Sequence, residues 1–167
     1  MKRLKRYRQF IYGAIVGALF GLLPGFGLGV YYLPILVEQQ GAAPEMLVQA
    51  RDFAQKTGTF RRDLRGSDSL HWGEGTITLS READGYYLTL DGQVSPGPDY
   101  RLYLIQTLVE DEAAFLPVKS QAAQVGEVKA FTNFRLPVPS SVDVSRYGAV
   151  IVWCERFSEF ITAAALQ

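Results

Sequence analysis

One cysteine and one histidine carry most of the chemistry this chain can offer. Cys154 stands in Val152-Trp153-Cys154-Glu155-Arg156-Phe157, and His71 opens His71-Trp72-Gly73-Glu74. With a single Cys no intramolecular disulfide can form, so the thiol stays free, pairs with another chain or binds something. Thiolate is the reactive form, and a neighbouring cation favours it. In a regular strand Cys154 shares a face with Val150, Val152 and Arg156, while Trp153 and Glu155 point the other way. Arg156 is therefore the cation expected to activate a redox thiol. The plain alternative is a small buried hydrophobe, because free Cys is among the most buried residue types.

Cys154 and His71 together are candidate axial ligands of a haem iron. No attachment motif for covalent haem is present, so such a haem would be bound non-covalently. The pair cannot build a closed structural zinc site, which takes four Cys or His ligands. Taken alone, a His just before a strand reads as a surface or capping residue. Asp99 after Pro98 suits a turn closed by its carboxylate on nearby amides, with ligand binding as the alternative. Trp153 and Tyr103 read as core aromatics whose polar tips find partners at the rim. Glu110-Asp111-Glu112 reads as a solvated loop rather than a cation site. No nucleophile elbow or phosphate-binding loop appears, which argues against a hydrolase or a nucleotide enzyme.

The elements that must hold these residues fall into two parts. Lys2, Arg3, Lys5, Arg6 and Arg8 precede an uncharged stretch from Phe10 to Val37, long enough to cross a bilayer. Tyr12 and Tyr31 are spaced to mark its two interfaces, and Glu38 follows it. Basic residues on one side place the N-terminus in the cytoplasm and the remainder outside, in periplasmic or extracellular space. A cleaved signal peptide is the alternative. Its apolar core would be shorter, and Pro44 directly after Gly41-Ala42-Ala43 makes a poor cleavage site. Gly13, Gly17, Gly21, Gly25 and Gly29 form a flat stripe suited to a helix partner or a homodimer, which Pro24 would kink. If the stripe is all that the chain contributes, replacing Gly17 and Gly21 with Leu abolishes its function. The rest holds 12 of the 17 basic residues and all 17 acidic ones, a balance that repels nucleic acid.

Pro44 to Lys56 reads as a short helical stalk stopped by Gly58. Beyond it the signals are β. Thr76–Ser80 and Tyr86–Leu90 flank Asp84-Gly85 as a hairpin. Ser95-Pro96-Gly97-Pro98 breaks the chain, and Arg101–Leu108 and Glu127–Phe131 read as further strands. Gly148–Phe157 is the most apolar run and reads as a central strand buried on both faces. The expected fold is all-β, sandwich-like or barrel-like, with one transmembrane helix and a short stalk before it. The expected boundaries are a basic tail at 1–9, an anchor at 10–37, a stalk at 38–57 and a β domain at 58–167.

Four stretches together resemble the DM-thirteen domain family. They are His71-Trp72-Gly73-Glu74-Gly75-Thr76, Gly97-Pro98-Asp99-Tyr100-Arg101-Leu102-Tyr103-Leu104, Val142–Tyr147 and Val152–Phe157, the last followed by the small-residue ending at 163–166. Phe131-Thr132-Asn133-Phe134 departs from the family pattern, which has a Gly and a Gln before its aromatic residue. The resemblance implies a β-sandwich-like domain outside the cytoplasm. It also implies an electron-transfer role centred on the cysteine, as a bare thiol or through a group such as haem. The rival from another class is a redox-silent β-sandwich that binds a protein or glycan at the cell surface.

Overall fold

The two-residue loop Ala83-Asp84 reverses the chain tightly enough for the strands on either side to pair along their whole length. In the computed structural model these are β2 (Gly73–Glu82) and β3 (Gly85–Val94), with Glu82 opposite Gly85 and Gly73 opposite Val94. The model describes the backbone of residues 2–167. The side chains of residues 2–6 and of Tyr31, and with them the interfacial role expected of Tyr31, lie outside the described residues.

Two four-stranded antiparallel sheets make a sandwich. One runs in the order β1 (Ala54–Phe60), β2, β3, β6 (Arg135–Pro137); the other runs β5 (Ala123–Val128), β4 (Tyr100–Ile105), β7 (Ala149–Cys154), β8 (Glu159–Ala165). The sheets are tied at one edge by paired backbone bonds between Thr57 and Gln167. Gly58 belongs to this seam and is not the stop of a stalk helix. A Cβ there would stand 2.4 Å from the Ala165 carbonyl oxygen.

All six residues of β7 are buried. Val150, Val152 and Cys154 face the core between the sheets, with Ile77, Leu88, Leu90, Leu102 and Leu104. Ala149, Ile151 and Trp153 face a second cluster, roofed by Leu64 and Phe115. Phe115 lies on α3, the short helix Glu112–Phe115, whose first turn is capped by Asp111 accepting from the Ala114 amide. The acidic loop at 110–112 thus serves a helix cap, and Asp111 also pairs with Arg65.

Three boundaries differ from expectation. The stalk helix α2 spans Pro44–Asp52, and residues 54–57 already belong to β1, because pairing with β2 prevails over local helical preference. The strand expected at 127–131 lies at Ala123–Val128, where β4 supplies its partner. Beyond it Lys129 and Phe131 turn their carbonyls to other segments. Finally, β7 stops at Cys154, and residues 155–158 form a turn with Ser158 at φ 54°.

Before the sandwich, α1 runs unbroken from Lys2 to Leu36 through Pro24 and Pro34. Tyr7–Val30 within it is long and apolar enough to cross a membrane. Among the described residues, no atom outside the helix's own backbone comes within 4 Å of where a Cβ would stand at Gly13, Gly17, Gly21, Gly25 or Gly29. The segment after α1 is strapped to the domain. Glu38 accepts from the Phe131 amide, Gln39 donates to the Lys129 carbonyl, and the Ala42 amide donates to the Asn133 carbonyl.

Glu82 joins three elements. Its carboxylate takes bonds from Gln49 of α2 (2.6 Å), Ser80 of β2 (3.1 Å) and Arg135 of β6 (2.8 Å), and its side chain is 4 % exposed. Removing one member of a buried ion pair strands the other charge. Glu82→Ala is therefore expected to cost about 3–5 kcal/mol, read as a lower midpoint in urea unfolding.

Candidate functional site

The backbone at the end of β7 places Cys154 beside two other strands. Cys154 pairs with Tyr100 of β4 on one side and with Glu159 of β8 on the other. The residue is 2 % exposed, and its thiol donates to the Pro98 carbonyl at 3.1 Å. The next loop inward is held by Gly97, where a Cβ would collide with the Tyr100 hydroxyl at 2.2 Å. Asp99 adopts a left-handed φ of 57°, and its carboxylate pairs with Arg101 at 2.8 Å. Asp99 therefore shapes the turn by an ion pair and by its carbonyl, which accepts from the Glu155 amide at 3.0 Å.

His71 reaches the same place from a different loop. Asp68 closes that loop, accepting from the Leu70 and His71 amides at 2.6 and 2.7 Å. Burial would raise the Asp68 carboxyl, but these amides and the imidazole hold it below the usual range. Trp72 then exchanges bonds with Ser95, its amide reaching Ser95 Oγ and its carbonyl accepting from the Ser95 amide. The Arg62 guanidinium lies 3.4 Å from the centre of the Trp72 ring. The imidazole Nδ1 contacts Asp68 Oδ2 at 3.1 Å, and against an ionised carboxylate that nitrogen is the one that donates.

Cys154 and His71, far apart in sequence, line one cavity of about 140 Å³. Leu70, Pro98, Tyr100 and Phe157 share its wall, and so do Gly27 and Val30 of α1. A second groove of about 250 Å³ lies along Leu33, Pro34 and Val37 and shares Gly97, Pro98 and Tyr100 with this cavity.

The electrostatics of the sulfur differ from the expected picture. Burial pushes the Cys154 thiol up, the backbone N–H groups of Phe157 and Arg156 oppose that, and Asp99 and Glu159 add to the rise. The net result is a raised pKa and a neutral thiol at pH 7. Arg156 does act on the sulfur, but through its main-chain amide. β7 ends at Cys154, so the strand alternation that set Arg156 on the sulfur's face does not reach it, and Arg156 is exposed in the turn. Those two amides are the feature that residue types could not reveal. They form a small nest that would receive a thiolate once it forms.

On the opposite face, burial would raise the Glu155 carboxyl, but Lys119 (2.6 Å) and the Tyr103 hydroxyl hold it below the ordinary range. Lys119 also lies 5.3 Å from the centre of the Trp153 ring. Trp153 is fully buried, and among the described residues its Nε1 has no hydrogen-bond acceptor, in contrast to the partner expected at the rim.

The cavity is small for a haem. Sites for drug-sized ligands occupy roughly 300–1,000 Å³, and the cavity is about 140 Å³. Among the described residues no cluster of three His, Cys, Asp or Glu side chains could hold a metal ion.

A family model described as "Electron transfer DM13" matches residues 63–166. No curated protein and no solved structure matches the chain.

The raised thiol has a consequence for stability. The native state favours the protonated sulfur, so this contribution is whole below the free-thiol pKa of about 8.5. It is lost as pH rises through the higher folded value. The Tyr100 and Tyr103 phenols, raised first of all by burial, act in the same direction at higher pH. Urea midpoints are expected to fall between pH 8 and pH 10.5, and to fall less in Cys154→Ala.

Proposed function

Because the chain belongs to the DM13 electron-transfer family, we propose that it is a membrane-anchored redox module with Cys154 as its reactive group. In this reading α1 spans the bilayer, with its basic end in the cytoplasm and the sandwich on the periplasmic or extracellular side. The length and hydropathy of Tyr7–Val30 support the anchor, and the cluster of Lys and Arg before it supports the orientation.

The observation that carries the proposal is the convergence of Cys154 and His71 on one cavity. The thiol is neutral at rest, so chemistry begins with loss of its proton. Nε2 of His71, oriented by Asp68, is the base available in that cavity. The amides of Arg156 and Phe157 then receive the negative charge. With no second cysteine an intramolecular disulfide cannot form, so in this reading the thiolate is oxidised by an acceptor from outside the chain, which takes up the electrons. The same enclosed, neutral thiol also favours the rival, a redox-silent sandwich that presents a binding surface to a protein or glycan.

Two measurements on the full-length protein in detergent separate the readings. In thiol titration, a redox Cys154 reacts in the native state, at a rate that climbs with pH beyond the range of a free thiol. His71→Ala slows that reaction by roughly 10²-fold, and Cys154→Ser abolishes it. A thiol that reacts only after unfolding leaves the interaction module as the function. An optical spectrum is expected to show no haem band; a band lost in Cys154→Ser would restore the cofactor reading.

A further inference from the structure

The cavity over Cys154 is closed on one side by the apolar helix itself. Val30 ends the stretch long enough to cross a membrane, and both Val30 and Gly27 line the cavity. At about 1.5 Å of rise per residue, Gly27 lies only about 5 Å before Val30, towards the membrane-spanning part of the helix. That is within the interfacial layer, into which surface-bound apolar groups sink by about 5–10 Å.

The rim is built for such a setting. Leu70 and Phe157 border the cavity, yet are 58 % and 52 % exposed. They come from separate loops, one before β2 and one after β7, and both line the cavity to which the helix also contributes. The exposed Arg156 adjoins Phe157, where a cation meets headgroup phosphates. The nearest acid on the His71 loop, Asp68, is engaged with the imidazole, and Glu159 is half-buried. The strap from Glu38 to Ala42 fixes this end of the sandwich against the end of the helix.

We propose that Leu70 and Phe157 are seated in the outer interfacial layer of the bilayer, and that the Cys154 cavity opens into lipid. The molecule that reaches the thiol is then apolar and dissolved in the membrane. Its inserted part is about the size of one aromatic ring, since an apolar cavity of roughly 150 Å³ accommodates benzene. This rests on the anchored reading of α1.

The test uses the full chain in phosphatidylcholine and phosphatidylglycerol vesicles, in a Cys154→Ser background. Nitroxide labels are placed singly through Leu70→Cys, Phe157→Cys, Phe20→Cys on the helix and Leu108→Cys. Leu108 follows β4 at the end remote from Cys154. Collision with oxygen, which concentrates in lipid, is compared with collision with a water-soluble nickel chelate.

Labels at 70, 157 and 20 are expected to show an oxygen-to-nickel ratio several-fold above that at 108. If 20 is in lipid but 70 and 157 match 108, the proposal is overturned while the anchor stands. If 20 also matches 108, the anchor itself is wrong and the proposal falls with it. Shielding of 70 and 157 from both reagents would mean a protein partner covers the rim, which also overturns it.

Discussion

Everything in the sandwich depends on covering both faces of β7. A strand whose six side chains are all buried cannot sit at a surface, so each face needs its own roof. The facing sheet covers Val150, Val152 and Cys154. The other face would be open to water but for the excursion between β4 and β5, which folds Phe115 over Trp153 with ring centres 4.9 Å apart. That excursion looks like a long loop, yet it works as the outer wall of the protein.

The same constraint fixes where chemistry can occur. Inside β7 a thiol would be one more apolar contact. At its last position the thiol keeps the burial but meets the loops that leave the strand ends. Those loops deliver the Pro98 carbonyl, the amides of Arg156 and Phe157, and the imidazole of His71. Burial and the amide nest act on the sulfur in opposite directions, and burial prevails in the resting state. On the proposed reading, reactivity then depends on a base and on what enters the cavity, and not on a standing cation.

Much of the framework is legible in residue types. The Asp84-Gly85 hairpin, the Ser95–Pro98 break and the apolar run of β7 each leave a local signature, and the alternation of Leu102 and Leu104 against Tyr103 and Ile105 assigns the two faces of β4 correctly. What escaped has no such signature. β1 is a weak Gly- and Thr-containing segment that becomes a strand only because β2 pairs with it. β8 hides in an alanine-rich tail, and β6 is three residues long. Cys154 and His71 stand out as residue types, but their meeting depends on a loop closed by Asp68 and Ser95. The extrapolation that set Arg156 beside the sulfur assumed a strand that in fact ends two residues earlier. Backbone donors carry no residue identity, so the amide nest could not be read at all.

The Phe131–Phe134 loop is the dock for the segment that follows α1. Asn133 holds it with a left-handed φ of 51°, bonding Gly92 through both its side chain and its backbone. Gly41 passes so close that a Cβ would stand 2.1 Å from the Thr132 carbonyl oxygen. A leash would let the sandwich tumble and sample partners from every angle. This connection is a bracket. On the anchored reading it removes the rotational search and leaves lateral diffusion in two dimensions. Encounter rates would then scale with surface density in the membrane, not with bulk concentration, and a tall soluble partner would find the Cys154 end facing away from it.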